Sequence, residues 1–190
     1  MADIRRADAQ RNRARILEVA YPAFADDPEV SLNAIAKLAG VGPGTLYRHF
    51  PTREALVLAV YQEEVANLVA SVDDLLRENE PLDAFRSWAR ALAVHARMKH
   101  GLGEALTSDA AQAVIGATWG PVSRAIATLL EAAATRGDIR AGIDPNDVIL
   151  LLSCLWRVPA GEAGLIQADR LLEMIVGSLQ CGPVPDPSGR

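Results

Sequence analysis

Cysteine, aromatic residues and long apolar runs are all scarce in this chain of 190 residues, and each scarcity excludes a class of protein. The two cysteines, Cys154 and Cys181, provide neither a disulfide framework nor the spacing of metal ligands, so we expect free thiols in a reducing compartment. The longest apolar run, residues 148–156, is far shorter than the roughly 20 residues that span a bilayer. The N-terminal stretch MADIRRADAQRNRAR has no apolar segment behind it, so we expect no secretory signal. These features together predict a cytoplasmic protein with no membrane partner.

Patterns that carry catalysis or bind cofactors are missing as well. The sequence has no Gly-rich phosphate loop, and its three histidines, at positions 49, 95 and 100, are too few and too scattered for a metal site. Acidic pairs such as Asp73 with Asp74 occupy adjacent positions, which do not share a helix face. We therefore predict that the protein is not an enzyme and holds no metal or cofactor.

What the chain has in abundance is helix-forming apolar sequence. Half of its residues are hydrophobic, strand-like alternation is absent, and apolar positions recur with helical spacing. The prediction is an all-α protein of about nine helices in two parts. A three-helix helix-turn-helix module occupies residues 1–55, a helical ligand-binding and dimerisation domain occupies residues 56–181, and residues 182–190 form a disordered tail.

Several boundaries follow from helix-breaking and capping residues. The first ten residues are charged and unpatterned, which predicts a mobile basic arm ahead of a helix at residues 10–25. In the second part, the pattern predicts one long helix from residue 52 to about residue 78, and another from residue 81. The later helices are predicted at residues 105–115, 121–136, 146–158 and 167–179.

Charge is distributed unevenly along the chain. Residues 1–53 contain eight basic and six acidic side chains, a net charge of +2, whereas the remainder contains eleven basic and eighteen acidic ones, a net charge of −7. A basic end on an acidic body is typical of a DNA-binding module attached to a domain with another task. An unevenly charged, solvated surface is the alternative interpretation.

The segment at residues 31–56, SLNAIAKLAGVGPGTLYRHFPTREAL, has the helix start and stop signals of a helix-turn-helix. Ser31 is placed to cap a short helix that ends at Gly40, and Pro43 occupies the first position of the next helix. That next helix needs only Leu46 and Phe50 on its buried side. Its outward side exposes donors suited to phosphate oxygens and base edges, with small residues at its tip: Pro43, Gly44, Thr45, Tyr47, Arg48 and His49.

This segment resembles the recognition-helix signature of the TetR family of bacterial repressors, most specifically in GVGPGTLYRHFPTREAL at residues 40–56. The resemblance covers about the first 56 residues. It implies a homodimer whose two modules enter successive major grooves of a palindromic operator, and an inducer that releases the double-stranded DNA. It implies operator contacts by Pro43, Gly44, Thr45, Tyr47, Arg48 and His49, a phosphate contact by Arg53, and backbone contacts by Ser31 and Asn33. The sequence departs from the family at residues 42–44, where longer polar side chains often read bases.

Some of these residues have a second interpretation. Tyr47 packs half buried against the first helix, or it faces DNA. His49 caps the end of its helix, or it contacts the operator. The arginines of the predicted arm either solvate it or reach the phosphates or the minor groove: Arg5, Arg6, Arg11 and Arg13.

The helix that begins at residue 81 places a broad apolar face with one imidazole on adjoining turns. If this face lines a cavity, it is a candidate sensor pocket for a small-molecule effector; the alternative is packed core with His95 hydrogen-bonded to the backbone. The candidate pocket residues are Trp88, Leu92, His95, Met98, Leu102, Trp119 and Trp156.

The last two predicted helices are apolar on more than one side, so each needs cover on more than one side. We expect a second copy of the chain to pack against them, with a central core helix as the alternative for the first of the pair. Two functional alternatives to an inducible repressor stay open. One is a DNA-binding regulator without a small-molecule ligand, acting constitutively or through a protein partner, and the other is a helical binding protein with a vestigial DNA module.

Overall fold

The computed structural model describes residues 2–101, 108–159 and 161–180, with the side chains of these residues except at 2–6 and 97–101. All regular structure in this part of the chain is helical, which confirms the predicted all-α class. The helices are α1 (Ala2–Asp26), α2 (Leu32–Leu38), α3 (Pro43–His49), α4 (Arg53–Ala70), α5 (Val72–Glu78), α6 (Pro81–Gly101), α7 (Asp109–Ala117), α8 (Trp119–Arg136), α9 (Pro145–Leu152) and α10 (Glu162–Gln180), with a 3₁₀ helix at Ser153–Trp156.

The described residues fall into two compact units. The first holds those of Met1–Val65 and Met98–Thr118, and the second holds those of Ala66–Arg97 and Trp119–Arg190. This division joins α7 to α1, α2, α3 and most of α4, although α4 ends at Ala70 and α7 begins only at Asp109. The predicted boundary between a DNA-binding domain and a ligand-binding domain at residue 55 stays a prediction. The predicted tail at 182–190 lies outside the described residues.

The first unit is built around one apolar core. The core-facing residues of α1 follow helical spacing, α4 adds four side chains to the same cluster, and α2, α3 and α7 each add one or two. Its most deeply buried members are Ile16, Ala20, Phe24, Ile35, Ala36, Leu46, Phe50, Leu56, Val57, Val60, Ala111 and Ile115. This core leaves the opposite face of the short helix α3 outward.

The prediction of a mobile arm at the first ten residues is wrong, because α1 is helical from Ala2. No glycine or proline interrupts residues 2–10, and Asp8 forms an ion pair with Arg11 one turn later. The predicted end of this helix near residue 25 agrees with the observed end at Asp26.

The second unit packs α6, α8, α9, the 3₁₀ helix and α10 around large apolar side chains, among them Trp88, Ile126, Leu152 and Leu172. Asp144 caps α9 as predicted, since its Oδ1 accepts a hydrogen bond of 2.8 Å from the Asn146 amide. The helix predicted for residues 146–158 is shorter, because the backbone tightens to 3₁₀ geometry after Leu152.

Two other boundaries differ from their predictions for identifiable reasons. The long helix predicted from residue 52 breaks at Ser71, whose hydroxyl donates to the Leu68 carbonyl at 2.9 Å and separates α4 from α5. The last helix begins at Glu162 rather than at residue 167. Gly164 lies inside it, and a Cβ there would come within 1.8 Å of the Pro159 carbonyl oxygen, so this glycine permits close packing and does not end the helix.

Two helical stretches, Arg53–Glu78 (α4 with α5) and Asp109–Arg136 (α7 with α8), have the length and apolar composition of a membrane-crossing helix when each pair is taken together. Core helices of globular proteins meet the same criteria, and both stretches supply core residues here: Leu56 and Val60 in the first, Ile126 and Leu129 in the second. Length and composition therefore do not decide whether either stretch is a membrane-crossing helix or a core helix.

Candidate nucleic-acid interface

The turn between α2 and α3 is closed by a Schellman motif. Gly40 has a φ of +64°, in the left-handed region that favours glycine. Its amide donates to the Lys37 carbonyl at 3.1 Å, and the Val41 amide donates to the Ala36 carbonyl at 3.0 Å. The predicted end of the second helix at Gly40 is confirmed, and the direction of the chain into α3 is fixed within two residues.

The start of each short helix is also fixed as the sequence predicts. The Ser31 hydroxyl accepts from the Ala34 amide at 3.2 Å at the start of α2. In α3, Gly42 is the N-cap residue without a side-chain bond, and Pro43 stands at the first position. The Gly42 carbonyl accepts from the amides of Thr45 and Leu46. These local bonds hold α3 as a rigid two-turn helix.

One side of α3 is buried and the other is exposed. Leu46 and the following Phe50 belong to the core of the first unit. Tyr47 keeps 45% of its surface exposed and belongs with the outward side chains. The remaining predicted contact residues of this helix are either exposed (Pro43, Gly44, Arg48) or half-buried (Thr45, His49). The structure thus brings all six predicted α3 contacts onto one short element.

Arg48 lies along the surface of its own helix. Its Nε donates to the Gly44 carbonyl at 3.0 Å, and its Nη2 lies 3.4 Å from the Thr45 hydroxyl. A guanidinium has five N–H donors, so these two bonds orient the side chain and leave donors for a further acceptor. A guanidinium held in this way is suited to bidentate recognition of a base edge or a phosphate.

His49 is the last residue of α3, and its ring centroid lies 6.2 Å from that of Phe50. This position fits both interpretations of His49, a residue at the negative end of a helix and a contact to the operator. Ser31 and Asn33 are exposed at the start of α2, on the same unit. Their predicted contacts to the DNA backbone stay predictions.

Arg53, predicted to contact phosphate, binds protein groups. Its Nη1 donates to the Val30 carbonyl at 2.6 Å, its Nη2 donates to the Pro28 carbonyl, and its guanidinium carbon lies 5.0 Å from the centroid of the Phe24 ring. These contacts tie the start of α4 to the loop before α2. Any phosphate contact by Arg53 must use its remaining donors.

The arginines of α1 also have protein partners. Arg11 pairs with Asp8, and the guanidinium of Arg13 lies 5.6 Å from the Phe50 ring centroid. Arg15 donates from Nε and Nη2 to the Ala39 carbonyl, at 3.2 and 2.8 Å, and from Nη2 to the Gly40 carbonyl at 3.2 Å. Sequence reasoning missed the role of Arg15, because its partners lie 24 and 25 residues away and no local pattern links them. The side chains of Arg5 and Arg6 lie outside the described residues.

The candidate pocket residues do not share one environment. Trp88 is fully buried, and its indole N–H donates to the Leu68 carbonyl at 2.9 Å, as a packed core residue would. Leu92 is buried and His95 is half-buried, and burial lowers the pKa of the His95 imidazole. Trp156 is half-buried, whereas about half of the Trp119 surface is exposed. The side chain of Met98 and the whole of Leu102 lie outside the described residues.

Two cavities in the second unit have other linings. One of about 330 Å³ lies between the end of α8 and residues 140–143, and its wall includes Leu130, Glu131 and Arg140. The other, of about 260 Å³, lies between α6, the 3₁₀ helix and α10, with the Arg90–Asp169 ion pair in its wall. Neither is lined by the residues that the sequence predicts.

Large apolar side chains stand exposed on the last two helices. Met174 of α10 is 71% exposed and Leu150 of α9 is 66% exposed. Leu151, Leu165 and Ile166 each expose about half of their surface on the same two helices. Large exposed apolar side chains, where they adjoin one another, are typical of interaction surfaces.

Comparisons with known proteins agree on both parts of the chain. Residues 16–60 match the family described as bacterial regulatory proteins, tetR family, and residues 80–181 match the C-terminal domain of SbtR-like transcriptional regulators. The TetR transcriptional regulator SCO0520 from Streptomyces coelicolor is 36% identical and superposes with a TM-score of 0.75, over 88% of this chain and 98% of that one. The TetR transcription regulatory protein from Mycobacterium vanbaalenii is 34% identical with a TM-score of 0.72, over 93% and 99% of the two chains.

Among curated proteins, the similarity is confined to a shorter segment. The HTH-type transcriptional regulator SAR0097 of Staphylococcus aureus is 35% identical over 78 residues, which cover 40% of this chain and 41% of that protein. The regulator SA2364 from the same species is 44% identical over 62 residues, covering 32% and 34%. The chain thus aligns with less than half the length of these relatives.

Proposed function

Since this chain belongs to the TetR family of bacterial transcriptional regulators, whose members bind DNA and act as dimers, we propose that it is a repressor of the same design. In this proposal, a homodimer binds a palindromic operator, and a small-molecule inducer releases it. The observation that carries the proposal is the outward face of α3, which presents a phenol and a guanidinium, with hydroxyl and imidazole groups beside them, on a helix fixed at both ends.

The DNA contacts in this proposal come from α2, α3 and the start of α4. Helix α3 enters the major groove, where Arg48 and Thr45 read base edges, while the small tip at Pro43 and Gly44 lets the backbone approach. The net charge of +2 on residues 1–53, against −7 elsewhere, supports this orientation of the protein toward a polyanion. The complete proposed set is Ser31, Asn33, Pro43, Gly44, Thr45, Tyr47, Arg48, His49 and Arg53.

We place the dimer interface on α9 and α10. Their exposed apolar residues, led by Leu150 and Met174, provide a surface that a second copy covers by two-fold symmetry, so that the same patch serves both partners. Two modules fixed in one dimer engage two half-sites about one helical turn apart, which makes the second contact effectively intramolecular.

The effector is proposed to bind near His95, with Trp88, Leu92, Met98, Leu102, Trp119 and Trp156 as the candidate lining. A second candidate function is a regulator without a small-molecule ligand, acting constitutively or through a protein partner. The full burial of Trp88, with its indole N–H bonded to the Leu68 carbonyl, favours this second candidate because it fills space that a pocket would need.

TetR-family regulators are generally non-enzymatic, and the comparisons point to regulation alone. A repressor must also meet chromosomal DNA, so we propose that the protein works in the cytoplasm. A vestigial module with weak, sequence-independent DNA affinity is the third possibility that the following experiment tests.

The experiment is selection of bound sequences from a random pool of duplex DNA, using the full chain. We expect an enriched inverted repeat whose half-sites are separated by about one helical turn, roughly 10 base pairs. A matched selection with Arg48→Ala should lose sequence preference at particular positions of each half-site. Recovery of no preferred sequence by the wild type would contradict the proposal and favour the vestigial module.

A thermal-shift screen against a metabolite panel separates the two regulator classes. A ligand present at 100 times its dissociation constant adds about 2.7 kcal/mol to the free energy of unfolding. A panel member that raises the melting temperature and also releases the selected operator supports the inducible repressor. Stabilisation without release of DNA contradicts the inducer role.

A further inference from the structure

In the link between α2 and α3, two consecutive peptide units, Ala39–Gly40 and Gly40–Val41, have amide ends that are already bonded. The Gly40 amide donates to the Lys37 carbonyl, and the Val41 amide donates to the Ala36 carbonyl. The carbonyl ends of the same two units, Ala39 C=O and Gly40 C=O, point away from α2, where a helix end normally leaves acceptors to water.

Arg15 of α1 bonds both of these carbonyls. Two of its nitrogens meet at the Ala39 oxygen, at 3.2 and 2.8 Å, and Nη2 also reaches the Gly40 oxygen at 3.2 Å. Each peptide unit of the turn is therefore held at both ends, by α2 on the amide side and by Arg15 on the carbonyl side. The positive charge also lies at the C-terminal end of α2, where the helix dipole favours a cation.

The next residue along the chain is Gly42, the N-cap of α3. The orientation of α3 relative to α1 and α2 depends on these peptide units, because nothing but Val41 separates the braced units from the N-cap. The space is tight on the same side, since a Cβ at Gly40 would lie 3.2 Å from Arg15 Nη2. The position of the Arg15 guanidinium therefore depends on the absence of a side chain at Gly40.

We infer that Arg15 is a positioning residue for DNA reading: it braces the turn and so sets the angle at which α3 meets the operator, and it does not serve as a phosphate ligand. This inference rests on the proposed DNA-binding function. A planar guanidinium with several donors is required for it, since a lysine ammonium is a single point charge that does not match two carbonyls in a fixed geometry.

The two roles predict different salt dependence. Each phosphate contact contributes about −0.9 to the slope of log affinity against log salt concentration, so loss of a phosphate ligand makes the slope shallower by about one. Loss of a brace lowers the affinity for the specific site while the number of phosphate contacts, and hence the slope, stays the same. An Arg15→Lys substitution would preserve a phosphate contact, but its ammonium group would hold the two turn carbonyls poorly.

The test uses Arg15→Met, which keeps the length of the side chain, and Arg15→Lys, which keeps its charge. Operator affinity is measured for the full chain over a series of salt concentrations, with Arg77→Met, an exposed arginine of α5, as the matched control. We expect both Arg15 variants to bind the selected operator about tenfold more weakly with an unchanged salt slope. A shallower slope in Arg15→Met together with wild-type behaviour in Arg15→Lys would show a phosphate ligand and overturn the inference, as would unchanged affinity in both.

A second measurement does not depend on DNA. Hydrogen exchange of the backbone amides at residues 39–45, measured on the free protein, should become faster in both Arg15 variants and stay unchanged in Arg77→Met. Unchanged exchange in the Arg15 variants would overturn the brace. If the wild type selects no operator, the proposed function fails, and the exchange experiment still decides whether Arg15 holds the turn.

Discussion

The helix-turn-helix segment and the last two helices present opposite kinds of surface. The outward side of α3 is polar, short and fixed by local bonds, whereas α9 and α10 expose large apolar side chains such as Leu150 and Met174. The first kind of surface recognises a ligand by donor geometry, and the second recognises a partner by burial of area. In the proposed function, specificity and assembly therefore fall to separate parts of the chain, and we expect mutations to separate them.

The largest effect is expected from the apolar surface. Leu150→Asp combined with Met174→Asp places charges where a second copy is proposed to pack, which should give a monomer in analytical ultracentrifugation. Because a monomer engages one half-site, operator affinity should fall by at least about 100-fold. Ser87→Asp, an added charge on an exposed position of α6, is the control and should leave both properties unchanged. A dimeric double variant would remove α9 and α10 from the proposed interface.

The polar surface should respond differently. Arg48→Ala is expected to weaken binding to the specific operator by roughly 1–3 kcal/mol while the dimer and the melting temperature stay unchanged. A mobility-shift titration, performed beside analytical ultracentrifugation of the same sample, checks both statements. If Arg48→Ala also dissociates the dimer, the two surfaces are not independent.

Substitutions in the turn between α2 and α3 test how far the fold of this segment depends on backbone geometry. Gly40→Ala places a Cβ in the left-handed region and crowds Arg15, which should lower the free energy of unfolding by about 1–2 kcal/mol. Gly42→Ala is the matched control, because its φ is −69° and no atom lies within 4 Å of the added Cβ. Urea denaturation of the two variants should separate them; equal stabilities would contradict the strain argument.

A smaller loss is expected at the start of α2. Ser31→Ala removes the hydrogen bond to the Ala34 amide and should cost about 1 kcal/mol of folding stability. Ser31→Asp retains an acceptor at the same position and should recover most of that loss. A Ser31→Ala variant as stable as the wild type would mean that water replaces the cap without cost.

The smallest effect concerns pH and the second unit. Burial lowers the pKa of His95 in the folded state, so the unfolded chain binds a proton more readily there. The contribution of His95 to stability is therefore complete at pH values above the ordinary histidine range, and it declines as the pH falls through the unfolded pKa near about 6.5. Thermal denaturation should show this decline in the wild type and less of it in His95→Gln. An identical pH profile in the variant would count against burial as the cause.

Features that depend on neighbouring residues could be predicted from the sequence. Ser31 as a cap, Gly40 as a helix end and Pro43 as a helix start each act through one to three adjacent residues, and all three agree with the structure. The outward placement of Arg48 followed from the same local spacing.

Features that depend on distant residues could not be predicted. The sequence predicts a phosphate contact for Arg53 and no particular role for Arg15, yet each bonds carbonyls more than 20 residues away. The break at Ser71 has a different cause: serine is tolerated within helices, and the sequence does not show whether its hydroxyl bonds the carbonyl three residues earlier, as it does with Leu68. Pocket residues were hardest to predict, because a tryptophan at helical spacing has the same pattern whether it lines a cavity or fills one.

The position of α7 has a consequence for protein engineering. Ala111 and Ile115 belong to the same core cluster as Leu46 of α3, and the hydroxyl groups of Tyr61 of α4 and Thr118, just after α7, are hydrogen-bonded at 3.0 Å. A DNA reader cut from this chain at the end of its family match, residue 60, would leave a gap where these two side chains belong. Hybrid regulators that graft this reader onto a foreign sensor must therefore transplant two segments that are distant along the chain, since the portable unit is discontinuous.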